Sequence, residues 1–183
     1  MSLYVALLRG INVGGKNLIK MTELAAFFTG LGFTDVRTYI QSGNVIFRAD
    51  EPDQARLTGR LEAALSRSFN YDSRLVTRSH EEMSDIVTHA PGGFGSDPSV
   101  YRYDVIFLKE PLTSAEAMKS ISIKEGVDQV FAGRGVLYSS RLISRATQSH
   151  LSRLMTLPVY QSMTIRNWNT TTRLLEMMSA LRP

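Results

Sequence analysis

The chain has 183 residues, 43% hydrophobic and 21% charged, a length and balance that allow one domain or two small halves with a buried core and exclude a disordered tail. No apolar run approaches the ~20 residues of a membrane helix, and the absence of cysteine excludes disulfides, thiolate metal sites and cysteine nucleophiles. The net charge of +4 is uneven: residues 129–183 hold 7 Lys+Arg against 1 Asp+Glu and residues 1–128 hold 14 against 16, so the excess sits in a tail whose cations are all arginine.

Residues 3–8, LYVALL, suit a buried strand and lack the basic, apolar and small-residue pattern of a secretory leader, which predicts a cytoplasmic protein. A loop rich in glycine and asparagine follows over 10–17. Met21, Leu24, Phe28 and Leu31 then mark one face of a helix over 21–31, ended by Gly32. Strands over 35–40 and 44–48 are joined by QSGN as a hairpin. Leu57, Leu61, Leu65 and Phe69, at four-residue steps, predict a helix over 53–69, and residues 73–78 supply a fourth strand. The order βαββαβ is ferredoxin-like.

After a helix over 80–90, the run PGGFGSDPS at 91–99 is the part of the chain richest in glycine, proline and serine, and the boundary between halves is expected there or slightly before it, giving 1–79 and 80–183. The second half reads as strand 103–108, helix 114–121, strand 127–131, a Gly133-Arg134-Gly135 turn, strand 136–138 and two helices, the last over 169–181. The expectation is an α+β sandwich of two small subdomains, the second repeating a strand-helix-hairpin-helix order.

The loop Gly10-Ile11-Asn12-Val13-Gly14-Gly15-Lys16-Asn17 stops one residue short of the phosphate-loop pattern, because Asn17 stands where a Ser or Thr hydroxyl must hold magnesium. The hairpin that follows is also wrong for the parallel sheet of that fold. A smaller expectation survives: the glycines allow positive φ, and Arg9, Lys16 and Lys20 add charge, so the loop is a candidate anion seat. The fold order invites comparison with RNA-recognition domains, but Asn44 and Ile46 occupy the positions of two base-stacking aromatics beside Tyr4 and Phe47. His80, His89 and His150 lack metal-ligand spacing, so no metal and no cofactor are expected. No GxSxG marks a nucleophile, and no carboxylate pair stands out. In TIRNWNTTTRLL, residues 164–175, Asn169 and three threonines read as a helix start between Arg166 and Arg173, a second candidate anion seat.

With these motifs in hand, LLRGINVGGKN, YIQSGNVIF, YDVIFLKEPL and RNWNTTTRLL, the chain resembles, nearly end to end, the uncharacterised bacterial domain-of-unknown-function family numbered sixteen ninety-seven. The resemblance implies two α/β halves, the first ferredoxin-like, and carries no activity, ligand or catalytic residue with it. It places Arg9, Asn12, Lys16, Asn17, Ser42, Gly43, Asn44, Arg166, Asn167 and Asn169 in family motifs.

The functional expectation is an anion-binding protein with no membrane partner. Its candidate residues are Arg9, Asn12, Gly14, Gly15, Lys16, Asn17, Ser42, Asn44, Arg145, Arg166, Asn167, Asn169 and Arg173, with the segments 9–17, 41–44 and 166–173 facing the ligand. Nucleic acid is the leading candidate, since phosphate contacts need repeated cations. The rivals are an enzyme acting on a small phosphorylated or carboxylated substrate and an interaction module without a ligand.

Overall fold

The computed structural model describes residues 1–182. It contains two compact units, residues 1–84 with 173–182 and residues 85–172. The first is built from β1 (Ser2–Arg9), α1 (Met21–Gly30), β2 (Thr34–Tyr39), β3 (Asn44–Ala49), α2 (Gln54–Phe69) and β4 (Arg74–Ser79), with a sheet in the order β2-β3-β1-β4. All neighbouring strands are antiparallel. The chain leaves through α3 (His80–Thr88). The sheet buries Tyr4, Ala6, Leu8, Val45 and Phe47 with Leu24 and Phe28 of α1 and Leu57, Leu61 and Leu65 of α2. Asp53 caps α2, its side chain accepting from the Arg56 N–H, and satisfies one of the free amides of the first turn. Tyr4 and Phe47 are core residues with ring centroids 6.1 Å apart, so neither offers a base a stacking surface.

The second unit holds β5 (Tyr101–Leu108), α4 (Ser114–Ser120), β6 (Asp128–Gly133), β7 (Val136–Leu142) and β8 (Met163–Asn167), followed by the start of α5 (Trp168–Ser179). Its sheet order, β6-β7-β5-β8, repeats the first, again all antiparallel. The repeat extends to single hydrogen bonds. Leu8 N–H donates to the Gly43 carbonyl at 2.9 Å and Leu108 N–H to the Gly135 carbonyl at 3.0 Å, with both glycines at positive φ. Counting from these bonds, Val5 faces Arg78 as Val105 faces Arg166.

The structure corrects the second half of the sequence reading in three places. β5 begins at Tyr101 and β7 runs to Leu142, both longer than expected. Where one helix was expected between β7 and the terminal helix, three 3-10 turns cover Ile143–Gln148, Leu151–Thr156 and Pro158–Ser162, and the strand β8 follows them. The terminal helix starts at Trp168, and Asn167, not Asn169, caps it: the Asn167 Oδ1 accepts from the Asn169 N–H at 3.0 Å. The core of this unit is Ile106, Leu108, Leu137, Leu154 and Met163 with Ala117 of α4.

Candidate functional site

In the first unit the expected segments 9–17 and 41–44 do meet, but chiefly to hold each other. Val13 and Lys16 bridge a turn whose central residues, Gly14 and Gly15, have φ of +59° and +72°, the pair of positive values a tight hairpin turn requires. Asn12 donates Nδ2 to the carbonyls of Ile19 and Gln41, and its Oδ1 accepts from the Ile19 N–H. Asn17 Nδ2 donates to the Gly10 carbonyl at 2.8 Å. Asn44, fully buried, donates to the Tyr39 carbonyl and to Ser42 Oγ. Arg9 stands opposite Arg74 across β1 and β4, and Arg74 is held by Asp72.

The third expected segment lies in the second unit, except that Arg173 groups with the first. Arg166 is buried on β8 and donates Nη1 to the Ile165 carbonyl; burial pushes its guanidinium down to about 10, against the favourable influence of Tyr160. Arg145 is exposed and donates to Gln148 Oε1 through Nε and Nη2. Arg173 pairs with Glu176 at 2.9 Å. Asn167 and Asn169 line a cavity.

That cavity, of about 430 Å³, opens at the end of the second sheet where β5 begins and β8 ends. Tyr101, Trp168, Arg102, Arg141, Asn167 and Asn169 line it. A smaller cleft of about 160 Å³, with Asp104, Ser139, Ser152 and Met155 in its walls, shares Arg102 and Arg141. Arg102 and Arg141 are direct cross-strand partners. Like charges so placed repel and weaken a sheet, so this pair is a cost that packing does not explain. Arg102 is partly compensated: its Nε donates to Asp104 Oδ2 at 2.7 Å, a bond that raises its pKa further. Arg141 also faces Asp128 on β6, but that carboxylate is already taken. Burial opposes its ionisation, yet bonds from Ser149 Oγ and the N–H groups of Lys124 and His150 outweigh burial and hold the Asp128 carboxyl below its usual range. The Arg141 side chain is left with no hydrogen-bond or ion-pair partner among the described residues.

Trp168 is packed closely by its neighbours. Gly95, at φ +83°, lies so close that a Cβ there would sit 2.3 Å from the indole Nε1, and Phe94 packs edge-on at 5.1 Å. Asn167 is spent on the Asn169 N–H and the Tyr103 carbonyl. The Asn169 side-chain amide has no partner among the described residues. The cleft therefore presents guanidinium, aromatic surface and one free amide, groups that bind and orient an acidic molecule. No histidine lines it, and no three or more metal-type side chains cluster anywhere among the described residues.

Arg102 and Arg141 are the residues the sequence reading missed. The signal was period two: YRYDVIFL puts Arg102 and Asp104 in register with Ile106 and Leu108, and VLYSSRL puts Ser139 and Arg141 in register with Leu137. Polar groups on the core-facing side of a strand mark a site or an error of register. Strands cut at Tyr103 and Tyr138 hid the alternation.

Residues 1–138 match a protein family described as a protein of unknown function, DUF1697. The chain is also similar to a conserved bacterial protein of known structure from Streptococcus pneumoniae: 27% of residues are identical, the TM-score is 0.82, and the match covers 97% of this chain and 98% of that one. No curated protein matches it. No helix among the described residues is long and apolar enough to cross a membrane.

Proposed function

We propose that this chain, which belongs to the DUF1697 family of proteins of unknown function, is an anion-binding protein that holds a small acidic molecule in the cleft at the end of its second sheet. The observation that carries this reading is Arg141: a guanidinium in a cleft, set directly against a second arginine, with no acid of its own. A bound phosphate or carboxylate relieves the repulsion and supplies the charge-assisted hydrogen bonds that arginine's planar fork is shaped for. The cavity volume lies in the range of small-ligand sites.

A polyanion surface has weaker support. It needs cations in series, and four of the seven tail arginines are engaged elsewhere: Arg166 is buried, Arg145 is on Gln148, Arg173 on Glu176, and Arg182 lies against His80. The test is thermal melting with phosphate, sulfate and simple carboxylates. Ligand at about a hundred times its Kd raises the melting temperature by roughly 5–10 °C, and Arg141→Met abolishes the rise. Identical shifts in the wild type and the variant refute the site.

A further inference from the structure

The walls of the cleft specify more than an anion. Resting on the anion-binding reading above, we propose that the ligand is a nucleoside phosphate monoester, its phosphate on Arg102 and Arg141 and its base against Tyr101 and Trp168.

Three features converge on that chemistry. Two arginines paired across neighbouring strands line one cavity, Arg102 with Nε spent on Asp104, and their remaining N–H donors match a group with several acceptor oxygens, more of which a phosphate monoester has than a carboxylate. Tyr101 and Trp168 line the same cavity as the arginines, and Trp168 is fixed in place by Gly95 and Phe94, so its ring is presented without the entropy cost of ordering it on binding. Planar rings stack on such side chains whatever their sequence of donors and acceptors. The free amide of Asn169, with both donor and acceptor capacity, then distinguishes a base edge from a plain hydrocarbon ring. The neighbouring cleft adds the hydroxyl of Ser152 beside the shared arginines, a polar wall suited to a sugar.

The same chemistry is offered by a free mononucleotide and by the phosphorylated end of a strand. Trp168 is the only tryptophan in the chain, so quenching of intrinsic fluorescence reports the cleft directly. The full-length protein is titrated with adenosine and uridine 5′-monophosphates, adenosine, inorganic phosphate and a short 5′-phosphorylated oligoadenylate. The expected result is a monophosphate affinity at least about tenfold above that of phosphate or adenosine alone. Arg141→Met lowers it to the level of adenosine, and Tyr101→Ala lowers it to that of phosphate, each without changing the far-ultraviolet circular dichroism spectrum. An oligoadenylate that binds as tightly as the monophosphate assigns a strand end; one that binds more weakly assigns the free nucleotide. Equal affinities for phosphate and monophosphate overturn the nucleotide and leave the anion reading standing. Absence of binding by every probe, phosphate included, overturns both.

Discussion

Tyr4 and Asp104 occupy the same place in the same fold, and so do Phe47 and Ser139, their cross-strand neighbours. In the first unit the pair is aromatic and lies under two helices with Phe28 and Phe33. In the second it is a carboxylate and a hydroxyl, flanked by Arg102 and Arg141 where the first unit has Ser2 and Ala49. The connection between the third and fourth strands differs in step with this. The first unit uses the sixteen-residue α2, whose apolar face seals the sheet; the second uses three 3-10 turns whose buried contribution is Leu154. Leu154, Leu157 and Tyr160, at three-residue steps, pack on the core of that unit, but each run is only five or six residues long against the sixteen of α2, so the cover is short. The end of the sheet is left uncovered, and polar side chains there can meet a ligand. The clefts lie in the unit that has short turns where the other has a helix.

Substitutions that exchange the two characters test this contrast. The largest effect is expected for Phe47→Ser, which gives the first unit the residue of the second. Phe47 is fully buried among three other rings, so denaturant unfolding should show a loss of about 3–5 kcal/mol. Asp128→Asn comes next. The wild-type carboxylate accepts three bonds, and the amide leaves buried donors unmatched at a cost of about 1–3 kcal/mol at neutral pH. Its pH dependence has a definite sign. The folded pKa lies below the unfolded value of ~3.9, so the unfolded chain binds more protons between the two. The contribution is complete above about pH 4–5 and is lost as pH falls through the folded value. Acid titration of stability should therefore be flatter in Asp128→Asn.

Asp53→Ala removes the cap of α2, the helix the second unit lacks, and should cost about 1 kcal/mol in the same unfolding measurement. The smallest change in stability is expected for Arg141→Met, within about 0.5 kcal/mol and in the stabilising direction, because a like-charge pair is relieved. Loss of several kcal/mol in that variant would make Arg141 a structural residue and the two units alike in character.

The first unit is legible in the sequence because each level agrees. The leucine ladder of α2, the turn residues of QSGN and the apolar run of β1 all specify the observed elements. The second is less so. Between Ile143 and Ser162 the apolar residues Leu151, Leu154, Leu157 and Tyr160 recur at three-residue steps, a spacing that an α-helix and a 3-10 turn share, and β8 is only five residues long. Such a strand is set by pairing with β5, a long-range contact that local pattern does not carry. The candidate site follows the same division. Asn167 and Asn169 lie in a recognisable helix start and were found; Arg102 and Arg141 needed the strand ends. The asparagines of the glycine loop were conspicuous because loop closure and ligand binding draw on the same residue types.

The shared register of the two sheets also bears on how such a protein can change over time. Once a fold is present twice in one polypeptide, identical backbone positions meet different constraints: a replacement at Tyr4 or Phe47 must fill space, whereas Asp104 and Ser139 stand in the wall of a cleft. A lineage can then reshape the walls of the cleft by altering the 102, 104, 139 and 141 positions while the corresponding positions 2, 4, 47 and 49 stay as they are, so innovation and inheritance proceed side by side within a single gene product.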